Sequence, residues 1–228
     1  MSKIIDAKGR NKSVGESGYT RVMGNEQLGQ LISRVQSTVI SNGTELEKMI
    51  VSCSNAINDI DVFINDVMQN KIESGIFLCT KKTIKGTKKY KNYIKGIEPD
   101  MLIFIVSNQR ICKVIELKDG ETFDTKKVRG EKENLIKFVE KFGSKIPFET
   151  DYFICSFNQL DKEKIRLGMK SEFDLSHILT GKELCDILGI DYDGIVQKRK
   201  NDAKENFEYF INELLKIPEV VKMIKTKI

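Results

Sequence analysis

Histidine, proline and tryptophan are scarce: 228 residues contain one His, three Pro and no Trp. With His177 alone, neither a Cys2His2 zinc site nor a nuclease built on several histidines can be assembled. The five cysteines, Cys53, Cys79, Cys112, Cys155 and Cys185, lie at least 26 residues apart and form no C-x-x-C pair. An odd, scattered set with several members inside apolar runs fits reduced core thiols better than a disulfide framework or a metal knuckle. Long hydrophobic runs are missing too. The longest, Met101-Leu102-Ile103-Phe104-Ile105-Val106, is far too short to span a bilayer. The start, Met1-Ser2-Lys3-Ile4-Ile5-Asp6-Ala7-Lys8, lacks the apolar stretch of a secretory signal, so a cytoplasmic protein is expected. No phosphate-binding P-loop and no dinucleotide fingerprint occurs.

What is present describes a globular chain. Hydrophobic residues make up 40% and charged residues 31%, a balance that buries a core and leaves a solvated surface. The length suits one domain with decorations. Net charge is a modest +5, so the distribution of lysines says more than their excess.

Residues 1–25 are polar and rich in Gly and Ser, and read as a flexible N-terminal arm ahead of a single domain over residues 26–228. Two helical stretches follow. In 26–40, Leu28, Leu31, Ile32 and Val35 recur at helical spacing, and a second run carries Leu46, Met49, Ile50, Cys53, Ile57, Ile60, Ile64, Val67 and Met68. Asn42-Gly43 predicts a turn between them, with Thr44 and Glu47 as a capping box. The second run is long enough to expect an interruption.

Strand patterning comes next: 76–84, then 97–106 and 111–117, the last two joined by Ser107-Asn108-Gln109-Arg110 as a hairpin. A helix over 125–142, with Asp124 as its N-cap, presents Val128, Leu135, Phe138, Val139 and Phe142 as an apolar stripe. Residues 152–157 form a fourth strand. Thr180-Gly181-Lys182-Glu183 opens a short helix that stops at Gly189. A last helix from about residue 202 is expected to bury Phe207, Phe210, Ile211 and Leu214. A crossover helix between the third and fourth strands makes those two parallel. The fold class is therefore α/β, with a mixed sheet flanked by helices.

The chemistry concentrates in Ile97-Glu98-Pro99-Asp100, followed after fifteen residues by Glu116-Leu117-Lys118. Glu116 and Lys118 are two apart on a strand and leave the same face. Asp100 joins them only if it lies opposite Glu116 or Lys118 and not opposite Leu117, which demands a hairpin loop of three or five residues, or a bulge. Charges set among apolar strands must be paired or must hold a metal. Two carboxylates and the Leu117 carbonyl form a hard oxygen donor set suited to Mg2+. Beside such an ion, Lys118 could orient or deprotonate a water, its pKa lowered by the neighbouring cation.

Pro-Asp, fifteen residues, then Glu-x-Lys on a hairpin resembles the PD-(D/E)XK nuclease superfamily. The order helix, three-strand meander, helix, strand over residues 44–157 is similar to its restriction-endonuclease-like core. The resemblance implies that Asp100 and Glu116 hold the metal and that Lys118 serves the water. Many members also carry a Glu on the first core helix, which points to Glu47, or secondarily to Glu45. Glu47 otherwise serves only as the capping partner of Thr44.

Two further features suit a polyanion. Lys81, Lys82, Lys85, Lys88, Lys89, Lys91 and Lys95 fall in fifteen residues without an acid, with Tyr90 and Tyr93 among them; the bland alternative is a solvated face. Lys126, Lys127 and Arg129 fall in the first turn of the helix after the Glu-x-Lys strand, where the macrodipole disfavours cations and a bound phosphate would offset the cost. Asp119 and Asp124 read as turn and cap residues, and His177 as a bystander. The resemblance, the compact size and the single decorated core together suggest a type II restriction endonuclease acting on duplex DNA as a homodimer. The competing readings are a structure-specific or repair nuclease of the same fold, and a DNA-binding module without catalysis.

Overall fold

The computed structural model describes residues 2–9, 17–120 and 127–227. Its contacts gather the chain into two compact units, Met1–Lys48 with Asp193–Ile228, and Met49–Tyr192.

The first unit is helical. Residues 1–25, expected as a loose arm, include a 3-10 turn at Ile4–Asp6 and a short helix α1 (Gly18–Met23). Ser17 caps α1, its hydroxyl accepting from the Thr20 amide at 3.1 Å. Helix α2 (Glu26–Ser52) then runs unbroken through Asn42-Gly43. The expected turn and the Thr44–Glu47 capping box are therefore corrected: both residues lie mid-helix. A glycine inside a helix costs about 1 kcal/mol against alanine, too little to break a stretch whose flanks are both amphipathic. The chain's start is laced to its late helix. Lys3 Nζ lies 2.6 Å from Glu205 Oε2, and the Ile4 amide donates to Asn206 Oδ1 at 2.8 Å. Arg34 donates to the Ile4 and Ala7 carbonyls and stacks over the Tyr209 ring at 5.0 Å.

The second unit holds the sheet. After α3 (Ile60–Met68) come β1 (Gly75–Thr80), α4 (Lys81–Gly86), α5 (Lys91–Ile94), β2 (Met101–Val106) and β3 (Arg110–Lys118). The order continues with α6 (Val128–Phe138), β4 (Glu149–Ser156), α7 (Lys162–Gly168), β5 (Ile178–Thr180) and α8 (Gly181–Leu188). Helices α9 (Tyr192–Leu214) and α10 (Pro218–Lys225) close the chain. The strands lie in the order β1-β2-β3-β4-β5, antiparallel from β1 to β3 and parallel from β3 to β5. The expected mixed α/β sheet, including the parallel β3–β4 pair made by a crossover helix, is what forms.

Several boundaries differ from the sequence reading: β2 starts at Met101 and not at residue 97, and β4 spans Glu149–Ser156 and not 152–157. The first strand ends at Thr80, four residues early, because the Thr80 hydroxyl turns to cap α4, accepting from the Thr83 amide at 3.3 Å. Strand β5 is too short for a period-2 pattern to reveal. The last long helix starts ten residues before the expected position, and Phe207 stays 66% exposed instead of buried. The capping box at Thr180–Glu183 and the stop at Gly189, in the left-handed region at φ 67°, form as expected.

One face of the sheet carries Leu102, Phe104 and Val106 beside Cys112, Val114 and Ile154, packed with Ile60, Phe63, Ile64 and Val67 of α3 and Val128, Leu135 and Phe138 of α6. Alternation along β2 and β3 makes Asp100, Glu116 and Lys118 the end of this same face. Four of the five thiols are buried, and burial pushes them up, Cys185 to about 12. Among the described residues, no helix is long and apolar enough to cross a membrane.

Candidate active site

The β2–β3 register decides the site. Val106 pairs with Arg110 and Met101 with Ile115, so the hairpin loop is Ser107-Asn108-Gln109, three residues long. Extending that register by one step sets Asp100 opposite Glu116. This is one of the two loop lengths that the shared face requires, and Arg110 belongs to the strand and not to the loop.

Hydrogen bonds then tie four elements to the cluster. Asp100 Oδ2 accepts from the Leu117 amide at 3.0 Å, and Asp100 Oδ1 from Lys81 Nζ at 3.0 Å. The Lys81 amide also donates to the Asp100 carbonyl at 2.9 Å, so the end of β1 is clamped to the residue before β2. Lys118 Nζ donates to Glu116 Oε1 at 3.0 Å and to Glu131 Oε1, on α6, at 2.8 Å. A cleft of about 300 Å³ opens on this group, lined by Lys81, Gly96, Glu98, Glu116, Glu131 and Asn134 among others.

The electrostatics follow from that packing. Burial raises the Glu116 carboxyl above the usual range, the charge of Asp100 adds to it, and Lys118 and Lys81 oppose both. Burial alone would lower the Lys118 ammonium, but Glu116 and Glu131 outweigh it and hold lysine above its ordinary value. The neighbours that the chain itself supplies thus shift Lys118 opposite to the lowering expected beside a metal. Counted formally, the cluster carries three carboxylates (Asp100, Glu116, Glu131) and two ammoniums (Lys81, Lys118), one negative charge in all.

Asp100, Glu116, Leu117 and Lys118 are thus brought together as the spacing required. Glu47 is half-buried inside α2, and Glu45 pairs with Lys48 at 3.6 Å. Lys85, Lys88 and Lys89 are exposed, on α4 and the turn after it, so the basic stretch is helix and turn instead of strand. The Lys88 and Lys89 amides donate to Asp61 Oδ2 at 2.8 and 3.2 Å. Lys127 is exposed just before α6, and Arg129 pairs with Glu133 at 3.2 Å. Lys126 and Asp124 lie outside the described residues. Asp119 Oδ1 accepts from Asn158 at 3.0 Å, as a turn residue would, and His177 stacks on Tyr152 with ring centres 4.3 Å apart.

Two site residues escaped the sequence reading. Lys81 was counted only with the basic stretch, not as the partner of Asp100. Glu131 was not singled out, yet its signal was there: it stands three residues after Val128 and four before Leu135, an acid within an apolar stripe, which needs a partner on the sheet.

Among the described residues, no three His, Cys, Asp or Glu side chains converge as a ready-made metal cage. Two facing carboxylates beside the Leu117 backbone leave most of a coordination sphere to water and substrate oxygen, the arrangement that Mg2+ tolerates.

No family model and no solved structure matches the chain. A curated protein does: a type II restriction enzyme, HhaII, of Haemophilus parahaemolyticus, to which this chain is 61% identical over 226 residues, 99% of each chain. At that identity over nearly the whole of both chains, the chain belongs to the type II restriction enzymes.

Proposed function

We propose that the chain is a Mg2+-dependent endonuclease that hydrolyses phosphodiesters at a short specific site in duplex DNA, acting in the cytoplasm as a homodimer, with Asp100, Glu116 and Lys118 as its catalytic group. The observation that carries this reading is the register that sets Asp100 opposite Glu116, with Lys118 on the same face. The donor set suits the ion. The facing carboxylates repel each other, and a cluster of net negative charge repels a phosphate; a divalent cation relieves both and leaves the cluster net positive.

Asp100, Glu116 and the Leu117 carbonyl would hold Mg2+, which supplies a Lewis acid for the scissile phosphate and acidifies a water. The amide of Leu117 and the ammonium of Lys81 orient the two oxygens of Asp100. Lys118 offers its ammonium to the attacking water and fixes its direction. Lys85, Lys88, Lys89, Lys126 and Lys127 neutralise flanking phosphates. Glu47 is proposed as a further acid of the site.

The test is incubation of the purified chain with long duplex DNA, with and without Mg2+, beside Asp100→Asn and Lys118→Met. Discrete fragments are expected with Mg2+ only, and each substitution should slow cleavage about a hundredfold or more. A smear would replace the site-specific reading with a repair or structure-specific one. Metal-independent binding without any cleavage would leave a DNA-binding module.

A further inference from the structure

Among the described residues Lys118 has two carboxylate partners, and only one of them belongs to the Asp, Glu-x-Lys group. Glu116 approaches Nζ at 3.0 Å from the same strand; Glu131 approaches at 2.8 Å from α6. Both acids and the lysine are mostly shielded from water, so these are not the screened surface pairs that contribute little. Glu131 also replaces an apolar residue in the helix face that buries Val128 and Leu135, a position where a carboxylate is costly unless it is paired. It lines the cleft together with Glu116. The two acids are not equivalent. If Glu116 takes a metal, as proposed above, its oxygens have a second claimant, and an ammonium held only by Glu116 would lose its fixed position at that moment. Glu131 comes from a different element and answers to Lys118 alone in the cluster.

We infer that Glu131 is a positioning residue, whose carboxylate on α6 holds the Lys118 ammonium beside Glu116 and would keep it in place when Glu116 holds the metal. The inference rests on the catalytic reading of Asp100, Glu116 and Lys118. It adds a residue from the crossover helix to a catalytic group, Asp100, Glu116 and Lys118, that comes from one hairpin. No covalent step is attributed to Glu131; it acts through Lys118 by fixing the direction in which the ammonium meets the water.

The first readout needs no metal and no activity. In protein labelled with 15N-lysine, the Lys118 ammonium is expected as a slowly exchanging resonance, assigned by its loss in Lys118→Met. Glu131→Gln should shift it or remove its protection, whereas Glu133→Gln, on the outer side of the same helix, should leave it unchanged. The second readout is single-turnover cleavage of duplex DNA at saturating Mg2+. Glu131→Gln and Glu131→Ala should slow it about tenfold to a hundredfold, as a misplaced group does, with partial rescue by Glu131→Asp. DNA affinity measured in Ca2+, and the Mg2+ concentration for half-maximal rate, should both stay within about twofold.

An unchanged resonance with an unchanged rate would overturn the inference. So would a slow variant restored by high Mg2+, which would make Glu131 a metal ligand instead. If Glu131→Ala fails to fold, the isosteric Gln variant and its resonance still decide. Absence of cleavage by the unsubstituted chain would strike the catalytic reading itself and the inference with it, an outcome separable from a wild-type rate in the Glu131 variants.

Discussion

Among the described residues the buried Tyr90 hydroxyl has no hydrogen-bond partner, while its ring meets Phe142 edge-on at 5.2 Å. The ring earns its place by packing, and the oxygen adds only a desolvation cost. Tyr90→Phe is therefore expected to leave the fold intact and raise its stability by about 1 kcal/mol, read as a Tm higher by a few degrees. A lower Tm would mean that the hydroxyl has a water partner. The same reasoning about buried polar atoms separates what could be read from the sequence at this scale. Asp100, Glu116 and Lys118 were legible because strand alternation fixes their shared face once the loop length is known. Glu131 was less so, since an acid in a helix pattern is usually solvated, and only its place between Val128 and Leu135 marks it as inward-facing. Lys81 was hidden among six other lysines, because its pairing depends on how β1 ends beside Asp100.

At the scale of elements, short contacts between chain segments set where helices begin. Asp61, in the first turn of α3, accepts from the Thr87 hydroxyl and from the Lys88 and Lys89 amides, pinning the turn between α4 and α5. Burial works against its ionised form, but these hydrogen bonds outweigh it and hold the carboxyl below its ordinary value of 3.8. A depressed folded-state pKa gives stability that is present above the unfolded value and is lost as pH falls through the folded one. Asp61→Asn should thus cost on the order of 1 kcal/mol at pH 7, and denaturant midpoints of the two proteins should converge as the pH drops below about 4. A gap that persists at low pH would assign the loss to shape and not to charge. Gly181 is constrained by contact instead. It opens α8, and a Cβ there would meet the Phe157 carbonyl oxygen at 2.2 Å. Gly181→Ala should destabilise by about 1–3 kcal/mol, since backbone must move to admit the methyl. The helix and strand types were legible from periodicity and capping, as the Thr180–Glu183 box shows. The failures came where a local signal met a stronger neighbour: Asn42-Gly43 inside two amphipathic flanks, and Thr80 capping a helix that the apolar pattern had assigned to a strand.

At the scale of the whole molecule, the net charge of +5 conceals an opposition between the cleft and the segment that follows β1. The hydrogen-bonded cluster at the cleft is formally negative, while residues 81–95 contain seven lysines and no acid. One of the seven, Lys81, is committed to Asp100, and Lys89 lies over the Tyr90 ring at 5.2 Å. Lys85, Lys88 and Lys89 are exposed. If they meet phosphates, each displaces condensed counterions, and affinity for duplex DNA must fall steeply with salt. Binding measured in Ca2+ across a salt series should give a log–log slope that flattens by roughly one unit for each of Lys85→Gln, Lys88→Gln and Lys89→Gln that removes a phosphate contact. The cleft makes the complementary prediction. Withdrawing the divalent ion returns a negative cluster to the path of the phosphate and should weaken binding in the unsubstituted chain. In Asp100→Asn the same withdrawal should matter less, because one of the three carboxylates is already gone. Slopes unchanged by all three lysine substitutions would instead make this segment a solvated face, and the DNA would have to be held by other cations of the chain.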